Sequence, residues 1–392
     1  MTPARGRVLA VTLALVALAA APGRAQIIFE SPPPITLDIE TSIRSAAMGG
    51  AGSAVFWGEP DVWANPASLA TLHGVGWVQG HTQLNPSFSN DVVFDTQQLM
   101  FGGQGVGVVM MGQPFSGLGK AHFDSGPIII SGPFPTEPFS LFETTESFGL
   151  GVSPLRLLDA LRAETGTSHP RLTDVGEIAF GYQTERTSSG VDPGIGPFDD
   201  GESYDWGVNG RLSLQRMWWR EAPFRLDVAA AFSLLNHSHK SDGSFGGPPT
   251  RFRRTGFALH GSPRPPAERA SPPASLPWWR PADVPEFSVT LAYDHELQRV
   301  EQFDRDSNVE RVGLEAEAFR LLALRVGYVS DPDAEIHAVA YGGGVTLPVG
   351  PWGSVGYQLA YEPLSDDLKP RFRQGFSVWL DPVRVLGNAL RR

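Results

Sequence analysis

Residues able to do chemistry are scattered along this 392-residue chain rather than gathered into a reactive motif. The G-x-S-x-G of a nucleophile elbow, the H-E-x-x-H of a zinc protease and the G-x-x-x-x-G-K of a phosphate loop do not occur, so hydrolase, zinc and nucleotide chemistry have no anchor. Cysteine is absent, which removes thiol catalysis, thiolate metal sites, disulfides and a lipoprotein anchor. His237 and His239, two apart beside an expected loop, read either as metal ligands or as solvated polar residues. Asp304-Arg305-Asp306-Ser307-Asn308 starts like a calcium loop with Glu315 at the twelfth place, yet Val309 stands where such a loop needs Gly. We expect no enzyme, no cofactor and no metal site.

One charged pair is better placed. If the chain turns at Phe319-Arg320-Leu321, Glu315 falls opposite Arg325 on one face of a hairpin, and Glu317 falls opposite Ala323. Such charges are tolerable only when they face water or each other. The pair reads either as a brace or as a contact for a substrate. The same two readings apply to Arg211, Asp205, Asp227, Asp294, Arg371 and Arg373 as further candidates for an inner face.

Strands must carry these residues. In Glu177–Glu185, Ile178, Phe180, Tyr182 and Thr184 share one face while Glu177, Ala179, Gly181, Gln183 and Glu185 share the other. Similar alternation recurs over 203–215, 287–294 and 353–361, the cumulative mark of a transmembrane β-barrel. Alternation alone leaves open which face is inside. About fourteen strands are expected, at 74–83, 91–102, 105–113, 145–153, 174–185, 202–215, 224–236, 250–261, 284–298, 308–319, 321–331, 336–348, 352–362 and 371–380. Long loops should fill 114–144, 186–201 and 237–249, and the acidic Asp192–Glu202 stretch reads as a solvated outer loop. Two connections are long for the short-turn side. In 154–173, Leu155, Leu158 and Leu161 recur at helical spacing; the Pro-rich 262–283 cannot build a ladder.

The ends carry signals of their own. Met1–Ala25 has Arg5 and Arg7, an apolar run from Val8 to Ala21 and a small-x-small site at Gly23-Arg24-Ala25, which reads as a secretory signal peptide with Gln26 next. Removing it takes three arginines and no acid, leaving 28 basic against 42 acidic residues and moving the net charge from -11 to -14. That balance argues against nucleic acid as a partner.

Between signal and strands, Ser42–Ala70 combines Gly49, Gly50 and Gly52, which suit irregular coil, with the turn Trp63-Ala64-Asn65-Pro66-Ala67. The run Met48-Gly49-Gly50-Ala51-Gly52 has neither the strand before it nor the helix after it that a dinucleotide loop needs. Arg44, Met48, Gly49, Gly50 and Ala51 followed by Trp63, Asn65, Pro66 and Ala67 resemble the segment of the FadL/PorV superfamily, which comprises FadL-type hydrophobic-compound transporters and the PorV/PorQ proteins of type IX secretion. The resemblance implies an all-β fold: a transmembrane antiparallel barrel of about 14 strands in the cell outer membrane, with an N-terminal hatch inside its lumen. Boundaries follow at 1–25 for the signal, 26–73 for the hatch, 74–380 for the barrel and 381–392 for a periplasmic tail. Arg373–Leu380 also resembles the terminal-strand signal read by the barrel assembly machinery, although Asp381–Arg392 follows it here.

The expected activity is passive uptake of a fatty-acid-like or hydrocarbon-like molecule by a monomer lying in outer-membrane lipid. The 114–144 loop carries Phe115, Phe123, Ile128, Ile129, Ile130, Phe134, Phe139 and Phe142, an apolar set that reads as a capture groove or as a self-packed cap. The hatch residues Gly49, Gly50, Trp63, Asn65, Pro66 and Ala67 would then gate passage. The alternative is a PorV-like barrel that binds secreted or type IX secretion proteins at its outer face.

Overall fold

The computed structural model describes residues 36–37, 39, 41–84, 92–111, 121–127, 138–164, 171–192, 195–219, 221–237, 249–265, 284–300, 305–333, 336–349, 352–362 and 370–381. Fifteen strands form one antiparallel sheet. They are β1 (Gly74–Gln83), β2 (Val93–Gly103), β3 (Val106–Met111), β4 (Ala121–Asp124), β5 (Ser140–Val152), β6 (Gly176–Asp192), β7 (Ile195–Ser213) and β8 (Phe224–Leu235). The second half adds β9 (Arg251–Pro263), β10 (Phe287–Val300), β11 (Arg305–Ala318), β12 (Leu322–Asp331), β13 (Ile336–Pro348), β14 (Gly353–Glu362) and β15 (Arg371–Leu380). Neighbours in sequence are neighbours in space, and β1 pairs with both β2 and β15, so the sheet closes on itself and has no free edge.

β3 and β4 share one strand position, which makes a 14-position barrel with one position split. On β5, Ser147 pairs with Met111 and Thr145 with Ala121, so only Glu146 faces the step. On β2, pairing passes from Leu99–Met110 to Thr96–Ala121.

The two faces are opposite to those of a soluble sandwich. Large apolar side chains point outward, among them Leu324 at 73% exposed, with Phe180, Phe257, Leu291, Val326 and Phe376. Polar residues point inward and are buried, including Gln183, Asp205, Asp294, Glu296 and Glu315. An apolar outside around a polar inside is stable only where hydrocarbon replaces water on the outside. Tyr182 and Trp206 (ring centroids 4.6 Å apart), with Tyr341 and Tyr361 (5.3 Å), pack against each other across neighbouring strands on this outer face.

Several sequence expectations change in detail. The expected loop 186–201 is largely strand, because β6 reaches Asp192 and β7 starts at Ile195; above the membrane both faces meet water, so a ladder needs no apolar alternation there. The 114–144 loop contains β4 and the start of β5. The calcium-like stretch is also strand from Arg305 onward, so Asp306, Ser307 and Asn308 sit in a ladder rather than around an ion. The helical spacing in 154–173 does give a helix, Pro154–Glu164, with Pro154 opening it where a missing N–H costs nothing. His237 is exposed and His239 lies outside the described residues; no metal-competent cluster occurs among the described residues. Most of the Pro-rich connection lies outside them too.

Candidate functional site

The segment before β1 folds inside the barrel. A short helix, Ile43–Ala47, is capped by Ser42, whose Oγ accepts from Ser45 N at 3.2 Å. Gly49 (φ 69°) and Gly50 (φ 82°) then turn the chain through left-handed conformations. A Cβ at Gly49 would press on the Tyr328 backbone, so glycine is needed there for space as well as φ, while at Gly50, beside the movable Arg311 guanidinium, it is the positive φ that requires it. Asn65 caps the 3-10 turn Pro66–Thr71: its Oδ1 accepts from Ala67 N at 3.0 Å while its Nδ2 donates to Ser53 O (3.2 Å) and to Val208 O of β7 (3.1 Å). The sequence turn is thus also a bolt to the wall.

The wall meets this hatch through inward-facing glycines. Gly107 and Gly151 lie against the Leu69–Ala70 backbone, Gly181 against Pro66–Ala67, Gly207 against the Asn65 amide, and Gly313 and Gly327 against Met48. Any side chain at these points would collide with the hatch, so the segment is held at near-backbone distance around much of the barrel.

Polar latches lie on the side of β7 to β14. Arg44 donates through Nε to Glu315 Oε2 (2.9 Å) and through Nη2 to Oε1 (2.5 Å). Arg325 Nε reaches the same Glu315 Oε2 at 2.6 Å, while its Nη1 donates to Gln358 Oε1 (3.1 Å) and Gln358 Nε2 donates to Glu59 Oε2 (2.6 Å). The expected Glu315–Arg325 pair is therefore present, in the expected register, with Glu317 opposite Ala323. What the sequence reading missed is the third member, Arg44. Further round, Asp294 accepts the N–H groups of Gly52 (3.0 Å) and Ser53 (2.9 Å), and Ser233 Oγ donates to Ala64 O at 2.8 Å. Asp205, Asp227, Asp294, Arg211 and Arg373 all serve wall or hatch contacts from the inner face: Asp205 accepts from Asn236 N at 2.7 Å, Arg211 lies 3.4 Å from Asp227, and Arg373 holds Glu362 at 2.6 Å. Arg371 also approaches Glu362, at 3.9 Å.

The opposite side is mainly apolar, its polar latch being Thr36, whose N–H donates to Glu143 Oε1 of β5 at 2.7 Å and whose Oγ1 lies 2.5 Å from Thr145 Oγ1. Val62, Trp63, Leu69 and Leu72 of the hatch pack against Phe94 and Met100 of β2, Val109 of β3 and Phe123 of β4, with Leu37, Ile39 and Leu84 in the same cluster. Gln98 to Thr41 Oγ1, at 3.3 Å, is a polar contact within this sector. Trp63 Nε1 is buried with no hydrogen-bond partner among the described residues.

The expected capture residues are dispersed. Phe123 points inward into this seam and is 9% exposed, whereas Phe142, one step along the ladder, is on the outer face. Phe139 is half-buried just before β5, and Phe115, Ile128, Ile129, Ile130 and Phe134 lie outside the described residues.

The closed ladder, the apolar outside and the polar, plugged inside decide the architecture. This is a transmembrane β-barrel. No protein family and no curated protein matches its sequence. Among solved structures it is similar to the Ralstonia pickettii toluene transporter TbuX, at 12% identity over 87% of this chain and 98% of that one, with a TM-score of 0.39. It is also similar to a Pseudomonas aeruginosa FadL homologue (10% identity, 87% and 98% coverage, TM-score 0.40) and to the CymD monoaromatic hydrocarbon channel (14%, 86% and 95%, TM-score 0.38).

Proposed function

We propose that this barrel lies in the outer membrane and passes a hydrophobic small molecule along the seam between hatch and wall at β2, β3 and β4. The observation that carries the reading is asymmetry. Most charge-assisted bonds latch the hatch on one side, Thr36 N to Glu143 of β5 being the exception, and such bonds are lost only at high cost when buried. On the other side apolar side chains meet apolar side chains, and these can part by rotamer changes for an apolar guest that replaces the contacts. The seam also backs onto the one strand position whose ladder is split.

Gating by wholesale withdrawal of the hatch fits the geometry less well than local yielding along the seam, because withdrawal would break the Arg44–Glu315 and Asp294 latches together. The side chains of Trp63 and Leu69 are then the moving parts, while Gly49, Gly50, Asn65-Pro66-Ala67 and the Leu69 backbone held by Gly107 and Gly151 are the fixed ones. The test is binding and cellular uptake of radiolabelled naphthalene. Phe123→Asp and Met100→Asp, which put charge into the seam, should reduce both strongly, while Ala338→Ser on the latched side should not. Equal uptake by all three, with heat-modifiable migration confirming folded barrels, would remove the seam as the route.

A further inference from the structure

The apolar band around the barrel is not of even height. Tyr328 stands six residues beyond Leu322 on β12, and Tyr182 six beyond Gly176 on β6. At about 3.3 Å per residue and a tilt near 40°, that is roughly 15 Å above the strand ends, inside a band of about 25 Å. At the same level on β15, β2 and β5 stand Gln374, Gln97 and Glu146, and on β1 Gln79 is five residues beyond Gly74. Gln79 pairs directly with Gln97, so outward amides occupy the row that runs into the split ladder step facing Glu146.

Gln79, Gln97 and Gln374 edge a cleft of about 460 Å³ with His81, Asp95, His122 and Phe376. His81 Nδ1 lies 2.7 Å from Asp95 Oδ1, His122 Nδ1 3.1 Å from Thr144 Oγ1, and Gln374 Oε1 accepts from Tyr357 Oη at 3.0 Å. Gln79 and Gln97 make no side-chain hydrogen bond to another described residue. Amides left unpaired beside hydrocarbon are unfavourable, so a partner with hydrogen-bonding capacity is called for. Each amide offers both a donor and an acceptor, which matches a hydroxyl. No Lys or Arg lines the described cleft to favour an anion. Inside the same wall sector, the buried Trp63 Nε1–H is a third donor group without an acceptor among the described residues.

We infer that the cargo of this barrel is a hydrophobe bearing one neutral hydroxyl: Gln79 and Gln97 hold that hydroxyl at the outer wall, and in the seam the Trp63 indole N–H donates to its oxygen. This rests on the seam being the route. It adds that a pure hydrocarbon is the poorer ligand, since it leaves all three groups unsatisfied.

The test compares 2-naphthol with naphthalene, which share a ring system and differ by the hydroxyl, using equilibrium binding to the purified full-length barrel in detergent. The parent should prefer 2-naphthol on the order of tenfold, the effect of about one net hydrogen bond. In the double variant Gln79→Leu/Gln97→Leu the ratio should fall toward one, and Trp63→Phe, which keeps an aromatic ring and removes the N–H, should lower it too. Leucine at two outward positions suits the lipid face, so barrel folding should survive; heat-modifiable migration checks it. Ala338→Ser should retain the parent ratio. A parent ratio near one, or a ratio unchanged in both variants, overturns the hydroxyl inference while leaving the seam intact. A ratio that falls in one variant alone upholds the hydroxyl and strikes out the other contact. Absence of binding by either compound to the parent overturns the seam and this inference with it.

Discussion

Glu315 holds two guanidinium groups, Arg44 of the hatch and Arg325 of the wall, with its side chain 1% exposed. Glu315→Gln would leave those cations without the carboxylate between them, a loss of about 3–5 kcal/mol for a broken buried pair; a lower urea midpoint at unchanged barrel topology is the expected result, and an unaltered midpoint would show that the pair braces nothing. The wall half of this triad was legible because a hairpin fixes which residues oppose each other: once Phe319 and Arg320 are placed in the turn, where both adopt φ of 55°, Glu315 must meet Arg325. Arg44 was legible only as a motif letter. Its partner is 271 residues away, and no local periodicity encodes a contact at that range. Phe123 shows the same limit: its apolar character was plain, but the face it occupies depends on a four-residue strand that propensity alone does not mark.

At the scale of elements, alternation located the strands well wherever one face meets lipid, as at 74–83, 336–348 and 371–380. It failed above the membrane, where β6 and β7 continue through an acidic, Gly-rich stretch, and it could not reveal that one strand position is shared by β3 and β4. The helix Pro154–Glu164 was readable from its leucines, and its seating was not. Asp159 on that helix accepts from Leu172 N (2.8 Å), Thr173 N (2.9 Å) and Thr173 Oγ1 (2.7 Å), tying the helix to the turn before β6. Slight burial pushes this carboxyl up, but the hydrogen bonds from Thr173 and Leu172 outweigh it and hold it below the usual carboxylate range. The sign follows: a depressed folded value contributes stability above the unfolded value of about 3.9, and that contribution is lost as pH falls through the folded value. Protection factors of the Leu172 and Thr173 amides should therefore drop in acid, and Asp159→Asn should show low protection already at neutral pH. Protection independent of pH in the parent would contradict the tie.

At the scale of the molecule, the inverted faces make a strong demand. Val326, outward on β12 four residues beyond Leu322, should resist charge: Val326→Arg should cost about 2–4 kcal/mol in unfolding from liposomes. Asn308→Arg, exposed at the outer end of β11, should change stability by less than about 0.5 kcal/mol. Equal effects would mean the outer surface does not face hydrocarbon. The glycine contacts around the hatch carry a consequence for assembly. A plug gripped at backbone distance by β3, β5, β6, β7, β11 and β12 has no room to thread into a finished cylinder. Its chain emerges first, yet Asp294, Glu315 and Arg325, which hold it, come from strands made much later. The hatch must therefore wait, unlatched, while the sheet curls around it, and the pairing of β1 with β15 becomes the step that commits the whole chain. A variant whose latches are lost would be expected to show its defect first as slow closure, with open-sheet intermediates accumulating, before any change in the finished barrel.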